Sequence, residues 1–258
     1  AVTANMDVQN RTKLIAKSQT VEFSSIVGII KRTQSAVFGG LYAYSGANTM
    51  YRKAALIDVG GFRQDRATED ISIAWDHQLN GWVSVFAPGI IFFMEVPVTL
   101  KMLYRQRKRW AKGGTEVWLT NFKKVMLHPF KHIGRTIIFI DQTLSIVWSI
   151  FFCISMILFI GLIGHYVYQG NYEQIYVTFT FSFVFICFEM VAGFFQLLAS
   201  LIVDDRRRKL KYLLFAPLYM LLFWIVNAIT IVTTFIPAVK TILGYGSGTW
   251  KSPERTKK

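Results

Sequence analysis

Hydrophobic positions recur at short spacings over roughly the first hundred residues and in long unbroken runs after that. Between 12 and 34, Leu14, Ile15, Val21, Ile26 and Ile29 stand among polar neighbours, which predicts a helix. The stretch "VFGGLYAYSGANTMYR", 37–52, mixes aromatic with small residues and reads as strand or loop. "RKAALIDV" predicts a short helix ended by Gly60-Gly61. A second helix opens at "TED". Thr68 is placed to cap it, Glu69 and Asp70 lie in its first turn, and Asn80-Gly81 stop it. Ile71, Trp75 and Leu79 give that helix a buried stripe. "WVSVFAP" and "IIFFMEV" read as two short strands. Pro97 fits the first position of a helix running to Gly113. A further helix over 116–128 gathers Trp118, Phe122, Val125 and Met126 on one face, away from Lys123 and Lys124, as a helix in a membrane interface does.

Three apolar runs follow, at about 136–167, 176–203 and 211–238. Each exceeds the roughly 20 residues that cross a hydrocarbon core. The fold class is therefore α/β plus transmembrane α. Its parts are an α/β region over 1–97, interfacial helices over 98–132, a membrane region over 133–240 and a basic tail over 241–258.

Charge sharpens this picture through its placement. The net charge is +14, from 29 Lys and Arg against 15 Asp and Glu. Nineteen of the cations lie at or before Arg135 and the other ten at or after Arg206, so none falls between. A nucleic-acid binder spreads base and aromatic over soluble surface. Here the basic blocks bracket apolar runs, which is membrane patterning, and no nucleic-acid partner is expected. The loop "HYVYQGNYEQ" lacks Lys and Arg and is expected outside the cell membrane, with "DDRRRKLK" and the α/β part on the cytoplasmic side. A third full crossing would carry the Lys-rich tail outside. A broken or re-entrant last run, marked by Pro217 and Pro237, is the alternative. Cys153 and Cys187 sit in apolar runs and offer neither a disulfide framework nor zinc spacing. The four histidines show no ligand spacing.

Three short stretches carry candidate chemistry. In "YRQRKRWAKGG", Gln106, Arg109 and Trp110 stand at i, i+3 and i+4 and share a helix face. A guanidinium grips phosphate oxygens, an indole stacks on a sugar ring, and an amide bonds hydroxyls. The same residues also fit a basic interfacial helix with a Trp anchor. The acids of Thr68-Glu69-Asp70 compensate a helix dipole, or else supply a general base that takes a proton from an attacking hydroxyl. Ser45-Gly46 lets a ligand approach the backbone, or forms an ordinary loop. Within the apolar runs, Glu189 is expected to face the bundle interior or a polar path, and Asp141 to mark the interface.

The order Ser45-Gly46, Thr68-Glu69-Asp70, then Gln106…Arg109-Trp110, followed by apolar runs, resembles the processive family-2 glycosyltransferases, the synthases of cellulose, chitin, hyaluronan and poly-N-acetylglucosamine. "VEFSSIVGIIKRTQ", "QRKRWAKGGTEVW" and "TWKSPER" look like the poly-β-1,6-N-acetylglucosamine branch. The resemblance implies a GT-A-like catalytic region and UDP-N-acetylglucosamine (UDP-GlcNAc) as donor. It also implies a growing polysaccharide as acceptor and product, and export coupled to synthesis. It makes Asp70 the base, with Glu69 and Thr68 in the same motif. Gln106, Arg109 and Trp110 become contacts to donor pyrophosphate and acceptor sugar, and Ser45-Gly46 lies near the acceptor end.

The family's uridine-binding aspartate and metal-binding DxD have no counterpart here. "AVTANMDVQN" reads as the middle of a longer chain. The ligands of the Mg or Mn ion are expected upstream, and this stretch alone is expected to be inactive. Several such synthases work with a small membrane partner, which no residue here marks. A hyaluronan- or chitin-type synthase, or a membrane transport subunit with a basic cytoplasmic domain, are the alternative readings.

Overall fold

Strand β1 (Val2–Val8) is the centre of the folded part of this computed structural model, which describes residues 1–204, 208–246 and 248. Its side chains alternate polar and apolar, yet both faces are buried from Thr3 to Val8. One edge pairs antiparallel with the two-residue strand β2 (Thr49–Met50), the other parallel with β3 (Val85–Met94). The two strands expected over 82–96 are this single β3. Its register jumps from Ala4↔Ala87 to Asn5↔Ile91, so Pro88 and Gly89 are passed over as an irregularity without ending the strand.

The helix expected over 12–34 is longer and changes type. Helix α1 (Leu14–Phe23) passes through a π-helical turn, Ser24–Ile30, into α2 (Lys31–Phe38), which ends on left-handed Gly39. Short α3 (Lys53–Asp58) and α4 (Glu69–Leu79) follow as expected, with Ile71 and Trp75 buried and Leu79 half-buried. Thr68 stands at the N-cap of α4 but makes no capping hydrogen bond; its side chain faces another helix.

The two helices expected over 98–128 are one, α5 (Leu100–Met126), capped by Thr99, whose hydroxyl accepts from the Met102 N–H. Gly113 and Gly114 do not stop it. Both are buried, and their missing side chains leave room for Thr68 and Tyr42. The face read as interfacial is packed in part, with Phe122 and Met126 left exposed. Val125 joins a core with Ile71, Trp75, Ile138 and Phe139, and the Trp118 indole donates to Thr143 Oγ1 at 2.9 Å.

Helices α6 (Ile133–Gln169) and α7 (Tyr172–Asp204) form a hairpin, and α8 (Ala216–Ile242) follows a short 3₁₀ turn, Leu210–Phe215. All three long helices are apolar enough to cross a membrane. The α6–α7 hairpin exposes rows of Phe, Ile and Leu. Helix α8 is unbroken at Pro237 and lies along α5. Phe223 meets Arg107, and Phe235 meets Trp118 eleven residues further along α5. At its start Ala216 and Met220 pack on Val21, and beyond its end Gly248 lies against the backbone of Asp65 and Arg66. Both ends of α8 therefore meet the α/β part, the first at α1 and the second at the loop before α4. Most of the basic tail, and Arg206-Arg207 of the basic loop, fall outside the described residues.

The α7–α8 connection is bolted to β1. Asn5 Nδ2 donates to Asp204 Oδ1 at 3.0 Å, and Lys209 Nζ lies 2.7 Å from Asp204 and 3.2 Å from Asp7. Arg11 closes the cluster on Asp7. This explains why the polar side of β1 is buried: it faces partners in place of water.

Candidate active site

The three candidate stretches converge although they span more than sixty residues. The loop after α2 brings Gly46 over the start of α4, and its N–H donates to Asp70 Oδ2 at 3.3 Å. Glu69 Oε1 lies beside the same glycine, close enough that any side chain there would press on it. A Cβ at residue 46 would make the exposed Glu69 side chain give by a few tenths of an ångström. Asp70 is half-buried and Glu69 exposed.

Helix α5 clamps the segment in front of α4. Arg109 Nη1 donates to Ala67 O at 3.3 Å and lies 4.0 Å from Glu69 Oε2. Buried Glu116 accepts the Ala67 N–H at 2.9 Å. Gly113, one turn on from Arg109, receives the Thr68 side chain. The acid pair is thus positioned by backbone contacts on both sides of Ala67.

Trp110 sits a step round the helix. It is half-buried against the sheet's core, with the Arg107 guanidinium 4.5 Å from its ring centroid. Arg107, exposed by only 5%, donates to Glu22 on α1 at 2.6 Å and also stacks near Phe223 of α8. Trp110 opens onto a cavity of about 430 Å³ between α5, α6 and α8, lined among others by Trp148, Trp224, Asp141 and Asn227. Asp141, expected only to mark the interface, is a wall of this cavity. Gln106 is half-buried; its Oε1 accepts no hydrogen bond from the described residues. Glu189 is half-buried on α7, away from the residues that line the cavity.

Burial pushes the Asp70 carboxyl above its ordinary range, and Glu69 pushes it further. The Gly46 N–H, Lys31 and Arg109 pull it back. Tyr42 and Tyr51 are raised by burial and by the Asp70 charge. Lys31, Glu22, Arg107, Gly113 and Glu116 are the site residues that sequence reasoning passed over. The double glycine inside an otherwise helical stretch was the one signal available, and it was read as a stop.

Among the described residues no three His, Cys, Asp or Glu side chains gather as metal ligands. Of the adjacent acids Glu69 and Asp70, Asp70 accepts the Gly46 N–H and Glu69 stands 4.0 Å from Arg109, so the pair is engaged by a donor and a cation and does not fit a divalent ion.

Residues 1–243 match the family described as glycosyl transferase family group 2, and the chain belongs to it. It is 34% identical over 259 residues to the poly-beta-1,6-N-acetyl-D-glucosamine synthase of Staphylococcus epidermidis, and 33% over 257 residues to that of Staphylococcus aureus strain COL. In each comparison 99% of this chain is covered and 60% of the relative.

Proposed function

We propose that this chain is the acceptor-side and membrane portion of an inverting synthase that transfers N-acetylglucosamine from UDP-GlcNAc to a growing β-1,6-linked polysaccharide. The observation that carries the reading is the junction of Gly46, Asp70, Glu69, Arg109 and Ala67. The polymer in the relatives' names supports the choice of sugar and linkage.

In this reading the Asp70 carboxylate takes the proton of the acceptor hydroxyl as its oxygen attacks the anomeric carbon. The bond from that carbon to the diphosphate breaks, and its electron pair leaves with UDP. Arg109, beside the acid pair, offers positive charge to the departing diphosphate. Trp110 stacks the terminal acceptor sugar. The cavity beyond it, walled by Trp148 and Trp224, takes the units already joined, which couples synthesis to export. Family members use a divalent ion, and among the described residues no cluster of His, Cys, Asp or Glu gathers to hold one.

The test is UDP-GlcNAc incorporation into polymer by membranes carrying the full-length chain. Asp70→Asn should lower turnover by at least about 10²-fold, the scale of a lost general base, with folding intact. Normal yield from that variant would refute the role. This stretch alone is expected to give no polymer.

The sheet side is proposed to be cytoplasmic. The hairpin turn near Gly170 carries no Lys or Arg, while the opposite end holds the basic blocks. With α8 lying along α5 and returning, the tail stays on the cytoplasmic side and the charge count no longer conflicts. Asn171→Cys should label with a membrane-impermeant maleimide on intact cells, in a background lacking Cys153 and Cys187. Tyr245→Cys should label only after permeabilisation. Labelling of Tyr245→Cys on intact cells would make α8 a full crossing.

A further inference from the structure

Lys31 is a buried cation facing an acid. It is 7% exposed, and its Nζ donates to Ser45 Oγ at 2.6 Å. The peptide that follows Ser45 is the one whose N–H holds Asp70. A buried ammonium is costly unless an opposite charge or a ligand compensates it. Among the described residues it meets a neutral hydroxyl and, through space, Asp70.

The backbone is built to deliver this lysine. The π-helical turn Ser24–Ile30 ends at Lys31, whose N–H reaches back to Ile26 O in an i→i+5 bond. Such turns are rare and gather at functional sites, because one wide turn re-aims every side chain after it. This one is pinned from outside. Gly28 lies under the Asp204 side chain, which is tied to Asn5 and Lys209. The strand, the π turn and the end of α7 thus jointly fix where Lys31 points.

Resting on the reading that Asp70 is the base, we propose that Lys31 is a positioning residue of the transfer site. Its ammonium orients Ser45 beside the acceptor and keeps the Asp70 carboxylate ionised for proton uptake. The other groups bearing on Asp70 are Glu69 on its own helix, Arg109 from α5, and Tyr42 and Tyr51 from the loop around Gly46. Arg109 is already committed to Ala67 O and Glu69. Lys31 is the cation that arrives from the opposite side.

Two variants of the full-length chain test this through the pH dependence of kcat for polymer formation. Burial lowers the Lys31 ammonium to about 8, with Asp70 opposing. The unaltered chain should therefore lose activity above about pH 8, as Lys31 gives up its proton, and below the raised value of Asp70. Lys31→Met removes the charge. Its acid limb should move up by about 1–3 units, the usual effect of one adjacent charge. Lys31→Arg keeps a charge that does not titrate. It should retain the acid limb and lose the alkaline one, which decides the matter even if Lys31→Met fails to fold. An unmoved acid limb in folded Lys31→Met, or an unchanged alkaline limb in Lys31→Arg, overturns the inference alone. No polymer from the unaltered chain overturns the reading beneath it, and the inference with it.

Discussion

Helix α5 turns two unlike sides to the rest of the molecule. Toward α4 it offers Arg109, Gly113 and Glu116, which meet the backbone of Ala67, the side chain of Thr68 and the carboxylate of Glu69. Toward α1 and α8 it offers Arg107 and Trp110, held by a buried ion pair and by stacked rings. The first side places the acid pair by close approach, and a displacement of a few tenths of an ångström matters there. The second side orients an aromatic plane, and what matters is whether charge stays balanced away from water. One helix thereby ties the acid pair to the aromatic mouth of the cavity, so neither can shift without the other.

The largest effect should come from unbalancing the second side. Arg107 and Glu22 are exposed by 5% and 1%. Burial raises the Glu22 carboxyl, and Arg107 is what draws it back down. Arg107→Met leaves that carboxylate without its cation and should destabilise the protein by about 3–5 kcal/mol, as breaking a buried pair usually does. Trp110 also loses its guanidinium, so the loss of activity should include a raised KM for acceptor. Glu22→Gln together with Arg107→Met should recover most of the stability, because removing both charges removes the desolvation cost. Denaturant unfolding in detergent, followed by Trp fluorescence, measures both. A double variant as unstable as Arg107→Met would mean that packing, not charge balance, governs this side.

Sequence legibility divides along the same line. Thr68-Glu69-Asp70, Arg109 and Ser45-Gly46 could be singled out by type and order, and the structure brings them together; the three apolar runs were legible by length. The charged residues that support them were not. Lys31, Arg107 and Glu22 look in sequence like members of solvated helix faces, and only the third dimension shows them buried. Strand β1 was hidden for a related reason. Thr3, Asn5 and Asp7 resemble a solvent-facing set, whereas Asn48, Asp204 and Lys209 cover them from distant parts of the chain. The strand break placed at Pro88 was a fair use of a local rule that an irregular register overrode. The helix end placed at Gly113 failed because glycine serves close approach as well as termination.

That glycine supplies the smaller and sharper prediction. Gly113→Ala should gain roughly 0.8–1 kcal/mol of helix propensity if the position were open. It is not open: an added methyl would overlap the Thr68 hydroxyl, methyl and Cβ. Overpacking of this kind costs about 1–3 kcal/mol, so the net change should be a modest destabilisation of at most about 2 kcal/mol, the difference of those two ranges. Activity should suffer more than stability, because relief requires Thr68, and with it Asp70, to move relative to Arg109. A turnover loss of about 10²-fold is on the scale of a 1 Å misplacement. Thr68→Ala in the Gly113→Ala background removes the two closest colliding groups, the hydroxyl and the methyl, and leaves only the Cβ, 2.7 Å from the added methyl. The Thr68 hydroxyl has no hydrogen-bond partner among the described residues, so its loss strands nothing. The double variant should therefore recover stability toward that of the unaltered chain. Failure to recover would place the strain elsewhere along α5. A Gly113→Ala chain that is more stable and fully active would show that the two helices have slack, and that close approach is not what holds the acid pair in place.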